Sequence, residues 1–313
     1  MCEMAKCKLS ELPPLEERLR LALLEDFGAQ GDLTSQALVP ARKEVRADVQ
    51  VKADGVLCGV ELAAQIFSLA ARHTAQSERG RTTGVQTEAR KKDGEHVRKG
   101  EVVARVSGGA RAILAAERVA LNLLCHLSGI ATSTAQFVAL VAHTRAKIVD
   151  TRKTTPLWRD LEKYAVRCGG GKNHRRGLYD MVLIKDNHLA LWGTQDPAGA
   201  VCAVQKKFPG VPVQVEVTDL VGLQQVCKHS QPEMVLLDNF STMELRLAVA
   251  WCERFFAFSS GAERRHSRPL LEASGGVSLR RVAAIAETGV DRISIGALTH
   301  SVEALDISLE FRA

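Results

Sequence analysis

Lys147-Ile148-Val149-Asp150-Thr151-Arg152-Lys153-Thr154-Thr155-Pro156 passes from a short apolar run straight into a charged, threonine-rich turn. The same transition recurs down the chain. Asp180–Ile184 runs into Lys185-Asp186-Asn187-His188, and Pro212–Val217 delivers Glu216. Met234–Leu237 ends in Asp238-Asn239, Leu270–Ala273 in Ser274-Gly275-Gly276, and Arg292–Ile295 in Gly296. Helical stretches separate these runs, and strand–helix alternation argues for parallel βα units. Six strands leave a closed barrel and an open doubly wound sheet both open. In a βα barrel the carboxyl ends of the strands form the face that carries the active site. A solvated loop accounts for any one such strand end; it accounts poorly for all six together.

The residues at these ends have a common chemical sense. Arg152, Lys153, Arg175 and Lys185 are four candidate cations, which imply a substrate with several negative charges. Arginine grips a carboxylate with two parallel hydrogen bonds, whereas lysine acts as a point charge. Glu216 and Asp238 are oxygen donors suited to Mg²⁺, which prefers one or two carboxylates plus substrate phosphates. Ser274-Gly275-Gly276 and Gly296 offer main-chain donors to a phosphate, as the last strands of such barrels commonly do. His300 follows Gly296 and reads equally as a phosphate ligand or a plain surface residue. The cluster Gly169-Gly170-Gly171-Lys172-Asn173-His174-Arg175-Arg176-Gly177 ends a helix that begins near Leu161. By composition it is a flexible basic loop, yet it enters the second strand directly and so can fold over the barrel mouth. His174 there is placed to donate a hydrogen bond to a bound anion, although a lone histidine is more often structural than catalytic.

Upstream the pattern is mixed α+β. Pro13-Pro14 with Leu15, Leu19 and Leu23 reads as a helix start, broken by Gly31-Asp32-Leu33-Thr34-Ser35. Residues 45–60 suggest strands with a tight turn at Asp54-Gly55, Glu61 to Arg72 a short amphipathic helix, and residues 74–92 a polar surface excursion. Lys92 to Val106 looks like a β-hairpin turning on Asp93-Gly94. Glu117 to His143 is a long helical pattern whose middle, Ser128 to Thr134, is small enough for close approach of a neighbouring element.

The bulk properties exclude several classes. The chain has 313 residues, 46% hydrophobic, 25% charged and 4% aromatic, with a formal net charge of +6. That is too mild, and too poor in aromatics beside basic residues, for a nucleic-acid platform. None of the eight cysteines forms a C-x-x-C pair, which suits free thiols in a reducing compartment. No stretch reads as a membrane span and Met1 to Ser10 has no apolar targeting segment, so a soluble cytoplasmic protein is expected. There is no zinc motif, Walker loop, G-x-S-x-G or G-x-G-x-x-G.

At these residues the sequence resembles the decarboxylating quinolinate phosphoribosyltransferases. The likeness runs from about Leu24 to Phe311. It is carried by Glu25-Asp26 with Gly31 to Ser35, Glu117 to Asn122, Ser128 to Thr132, Thr151 to Pro156, Gly169 to Asp180, Ile184 to His188, Leu236 to Asn239 and Glu272 to Gly276. The resemblance implies type II phosphoribosyltransferase architecture: an N-terminal α/β sandwich (α+β) domain plus an incomplete TIM-like α/β barrel. The expected boundaries are 11–129, with 300–313 returning to that domain, and 130–299. It implies a homodimer or dimer-based hexamer whose active site is shared between subunits, with Arg118 reaching the neighbouring site. Arg152, His174, Arg175 and Lys185 would hold quinolinate. Lys153, Glu216 and Asp238 would face phosphoribosyl pyrophosphate and its Mg²⁺, with no organic cofactor. Ser274, Gly275, Gly276 and Gly296, with His300, would hold the 5′-phosphate. The expected products are nicotinate mononucleotide, pyrophosphate and CO₂, on the way to NAD. A relative acting on another acceptor, such as nicotinate, and a non-catalytic phosphoribosyl pyrophosphate sensor are the alternatives. Met1–Ser10, residues 74–90 and Phe255 to Arg268 depart from the family pattern.

Overall fold

The computed structural model describes residues 14–77, 84–258 and 268–312; the expectations for Met1–Ser10, and for parts of 74–90 and 255–268, fall outside them. The chain divides into two compact units, Met1–Thr132 with Glu303–Ala313, and Ser133–Val302. In order, the elements are α1 (Leu15–Phe27), α2 (Leu33–Leu38), β1 (Glu44–Val51), β2 (Gly55–Val56), α3 (Val60–Ser77), β3 (Val85–Ala89), β4 (His96–Val97), β5 (Val102–Gly109) and α4 (Ala110–Val141). Then come β6 (Lys147–Val149), α5 (Arg159–Cys168), β7 (Val182–Ile184), α6 (Asp186–Trp192), α7 (Pro197–Lys207), β8 (Val213–Val217) and α8 (Leu220–His229). The last are β9 (Met234–Asp238), α9 (Thr242–Phe258), β10 (Leu270–Ser274), α10 (Leu279–Ala286), β11 (Arg292–Ser294), α11 (Ala297–His300) and β12 (Ile307–Phe311).

The first unit is built on an antiparallel sheet of order β12-β1-β5-β3. Alternation along β1 buries Ala47, Val49 and Val51, and Leu19, Leu23, Ile66 and Phe67 of α1 and α3 join them in the core. Three sequence expectations change here. Lys92 to Val106 is not a hairpin: β4 pairs with β2, while β5 pairs with β1 and β3. The Asp93 carboxylate instead accepts the main-chain N–H groups of Gly59 (2.9 Å) and Val60 (3.1 Å) at the start of α3. Likewise β1 and β2 lie in different sheets, so Asp54-Gly55 joins no strand pair. The polar stretch after residue 74 holds a real strand, β3, whose mostly polar residues hide it from a hydrophobic pattern.

Helix α4, with 32 residues, is also longer and more apolar than expected. It is the one described helix long and apolar enough to cross a membrane by length and composition. Half of its most apolar stretch is already buried within the protein, and along the helix Ile113, Ala116, Leu124, Leu127 and Ile130 are all buried. It is therefore a core helix. Its small middle does permit close approach. Ser128 Oγ, fully buried, accepts from Cys58 N (3.0 Å) and donates to Cys58 O (3.2 Å), and Thr132 Oγ1 accepts from Val56 N (2.8 Å).

The second unit carries six parallel strands in the order β6-β11-β10-β9-β8-β7. All six sequence-predicted strands are present, within a residue or two of their expected bounds. One face of the sheet is apolar, with Val215, Val235, Leu237, Leu271, Ala273 and Ile293 buried. The other face carries Gln214, Glu216, Asp238, Glu272, Ser274, Arg292 and Ser294, as register requires. The sheet curls around this polar face. Lys172 bridges Val149 at the free edge of β6, and two residues later the His174 ring reaches Gln214 on β8 (2.8 Å) and Glu272 on β10 (3.2 Å). Among the described residues β6 and β7 do not pair, so the barrel is incomplete.

Replacing Ser128 by Ala removes both hydrogen bonds that its buried hydroxyl makes to the main chain of Cys58. The expected cost is about 1–3 kcal/mol, seen as an earlier urea midpoint by circular dichroism; an unchanged midpoint would contradict this account of the helix.

Candidate active site

The carboxyl ends of the barrel strands surround a cleft of about 660 Å³. Arg152 and Lys153 enter it from the loop after β6, and His174 and Arg175 from the segment after α5. Lys185 and Asp238 stand at the ends of β7 and β9. Ser274 ends β10 with Gly275 and Gly276 after it, while Gly296 precedes α11 and His300 ends it. Glu216 is not itself in the lining; its carboxylate is held by Lys185 Nζ, which donates to Oε2 at 2.5 Å. Arg118 is not among the lining residues. It belongs to the first unit, on α4, with a side chain 72% exposed.

The cation end of the cleft is electrostatically tight. Burial pushes the Arg175 guanidinium below its ordinary value, and the charge of Arg152 pushes it the same way against Asp180. Arg152 Nε is buried without a hydrogen-bond partner. Arg175 spends Nη1 on Met181 O at 3.3 Å. Two guanidinium groups this close, one with an unspent donor, favour an anion with more than one carboxylate.

The opposite end is a main-chain cradle. Gly275 and Gly276 adopt φ of +96° and +56°. A Cβ on Gly275 would strike the Asn239 side chain, so glycine is required there. Asn239 itself has φ +58°, and its N–H donates to Ser274 O at 2.9 Å, locking β9 to β10 where Asp238 projects. At Gly296 a Cβ would come within 3.0 Å of the Lys153 side chain and 3.1 Å of His300. Thr299 Oγ1 donates to Lys153 O at 2.7 Å, fixing the lysine loop against α11.

Asp150 corrects one reading of the strand ends. It does not face the cleft. Fully buried, it pairs with Lys163 Nζ of α5 and accepts from His174 N (2.8 Å) and Asn173 Nδ2 (2.5 Å). Burial pushes Asp150 up and Lys163 down, each opposed by the attraction of the other. This pair tethers the glycine-rich segment to α5 and β6. Lys163 was not visible in the sequence because it sits among ordinary surface-type residues of a polar helix.

Glu272 lines the cleft from β10, and Gln214 and Arg292 lie beside it outside the lining; sequence reasoning singled out none of the three as a site residue. Burial pushes Glu272 up, but the His174 hydrogen bond and the charges of His174 and Arg292 outweigh it, so the group titrates below its ordinary range. Its contribution to stability is present above the ordinary glutamate range and lost as pH falls through the lower, folded value. The signal was a polar residue at an inward position of a buried strand, as in Val213-Gln214-Val215.

The site is a barrel mouth lined by a cluster of cationic side chains and by glycine turns. The C-terminal domain of quinolinate phosphoribosyl transferase matches residues 130–310, and its N-terminal domain matches 32–128. A nicotinate-nucleotide pyrophosphorylase [carboxylating] of Mycobacterium leprae is 42% identical over 303 residues, 96% of this chain and 98% of its own. A probable enzyme of the same name from Bacillus subtilis is 39% identical, covering 95% of this chain and 93% of its own. The solved nicotinate-nucleotide pyrophosphorylase of Francisella tularensis superposes with a TM-score of 0.81 at 34% identity, over 95% of each chain. The chain belongs to the quinolinate phosphoribosyltransferase family.

Lys163→Met would strand the Asp150 charge. The expected loss is about 3–5 kcal/mol, measured by denaturant unfolding, while a joint Asp150→Leu/Lys163→Met change should recover much of it. A single variant as stable as wild type would refute the tether.

Proposed function

We infer that the chain transfers the phosphoribosyl group of 5-phosphoribosyl 1-pyrophosphate to quinolinate with decarboxylation, giving nicotinate mononucleotide, pyrophosphate and CO₂. As a member of its family it is a phosphoribosyl-transferring enzyme of pyridine nucleotide biosynthesis. The observation that carries the choice of acceptor is the convergence of Arg152 and Arg175, with Lys185 beside them, at one end of the cleft.

Arg152 and Arg175 grip the two carboxylates and hold the ring nitrogen toward the anomeric carbon. As pyrophosphate leaves, positive charge builds on the sugar and negative charge on the leaving group. Lys153 neutralises the latter, and Glu216 and Asp238 favour the former and orient the ribose hydroxyls. Ser274, Gly275, Gly276 and Gly296, with His300, hold the 5′-phosphate. The work is positioning and electrostatic stabilisation, with no covalent enzyme intermediate. When the bond from the adjacent ring carbon to its carboxylate then breaks, CO₂ departs, the bonding pair stays on that carbon stabilised by the alkylated ring nitrogen, and a proton from solvent takes its place.

Glu216 and Asp238 occupy inward positions on adjacent strands. Oxygen donors of this kind fit Mg²⁺ held partly through the substrate. The ion would supply charge neutralisation of the pyrophosphate. We place the enzyme in the cytoplasm, a reading supported by the lack of a disulfide among the described cysteines. A homodimer or dimer-based hexamer with Arg118 acting across subunits accounts for an exposed arginine outside the cleft lining.

Incubation with quinolinate, phosphoribosyl pyrophosphate and Mg²⁺ should release CO₂ and pyrophosphate in equal amounts; transfer to nicotinate instead, without CO₂, would overturn the assignment. Arg152→Ala should weaken quinolinate binding by at least about tenfold and nucleotide-sugar binding far less, by separate titrations; equal losses would refute its role. Mixing inactive Arg118→Ala and Lys153→Ala subunits should restore part of the activity, and no recovery in verified mixed dimers would remove the trans assignment.

A further inference from the structure

Helix α5 meets the barrel rim with one face. Arg159, Glu162 and Lys163 stand three and four residues apart, so they share a side of the helix. The segments they hold are the two that carry the arginines of the cleft. Arg159 Nε donates to Thr154 Oγ1 at 2.9 Å, and its Nη1 donates to Arg176 O at 3.1 Å. Thr154 N in turn donates to Arg152 O at 3.0 Å, and Arg176 follows Arg175 directly. One guanidinium therefore joins the main chain beside Arg152 to the main chain beside Arg175. Glu162, fully buried, accepts from Thr155 N at 3.1 Å and fixes the same loop one residue further on. Arg159 itself lies outside the cleft lining.

The backbone is strained to bring this arginine back under the loop. Trp158 N donates to Thr155 O at 3.1 Å, and Leu157 takes φ +68°. With Pro156 at the second position, these are the marks of a type II turn, whose third position suits glycine and is costly for leucine. Such an outlier persists only where its surroundings hold it. The contacts from Arg159 and Glu162 to the loop are such a hold. We infer that Arg159 is a positioning residue: it fixes the separation of Arg152 and Arg175 and so makes the cleft select a pyridine whose two carboxylates are neighbours. The inference rests on reading the cleft as a dicarboxylate site. Its physical logic is repulsion under restraint. Arg152 and Arg175 carry like charges that act on each other. Held at one separation, their guanidinium groups fit carboxylates on adjacent ring carbons. Released, they spread and accept wider spacings nearly as well, so selectivity is lost along with affinity.

Calorimetric titration of the full-length protein with quinolinate, with its isomer pyridine-2,5-dicarboxylate and with phosphoribosyl pyrophosphate tests this. Wild type should bind quinolinate more tightly than the isomer. In Arg159→Met the ratio of those two affinities should shrink roughly tenfold, while phosphoribosyl pyrophosphate affinity stays within about twofold of wild type. Thr154→Val, which removes the hydroxyl that Arg159 grips, should shrink the ratio in the same direction, and Thr154→Ser, which keeps it, should restore the wild-type value. An undiminished ratio in folded Arg159→Met, equal losses for all three ligands, or a wild type that holds both isomers equally would overturn the inference. If Arg159→Met fails to fold, the two Thr154 variants decide by the same ratio. Failure of the wild-type chain to bind either dicarboxylate would instead sink the reading of the cleft.

Discussion

The arrangement of the barrel rim depends on a buried charge pair that lies outside the cleft lining. Asp150 ends the first barrel strand, and Lys163 comes from the helix that follows. Taking both out of water is costly, and the cost is offset only because each is fully engaged. Asp150 meets Lys163, Asn173 and the main chain of His174; Lys163 also reaches His174 O at 3.3 Å. Three glycines precede this knot and would otherwise leave the chain loose. The pair converts a segment that composition marks as flexible into a wall of the cleft.

The strand ends divide labour by side-chain chemistry. Guanidinium groups cluster where β6 and the glycine-rich segment meet, and glycines line the turns after β10 and β11. On the proposed reading, that separation gives one cleft two anion sites of different character, a directional one for planar carboxylates and a main-chain one for a tetrahedral phosphate. Lys185 and Glu216 lie between them as a mutually neutralising couple.

Much of this was legible because a parallel barrel places every strand's carboxyl end on one face, so the residue after each apolar run reports directly on the site. Arg152, Lys153, Lys185, Asp238 and the glycines were found that way, and Arg175 from the basic glycine-rich cluster that leads into the second strand. Lys163, Gln214, Glu272 and Arg292 were not, since their meaning lies in partners remote in sequence. The first unit was less readable for a related reason. Its strands pair across long separations, so Asp93-Gly94 imitated a hairpin turn while its carboxylate served a helix start. Strand β3, mostly polar, is defined by its ladder to β5 and not by any pattern of its own.

The return of β12 to the edge of β1 has a consequence for how the polypeptide matures. Val51 pairs with Ile307 and Ala47 with Phe311, so the first sheet needs a strand that follows the whole barrel in sequence. During synthesis the entire barrel must leave the ribosome before that sheet is complete. Until then β1 shows a bare edge of unpaired main-chain groups, a template for improper association. The α/β barrel, by contrast, is encoded without interruption and can close first. Nascent chains should therefore pass through a stage with a finished catalytic body attached to an open-edged neighbour, the interval in which chaperone protection would matter most.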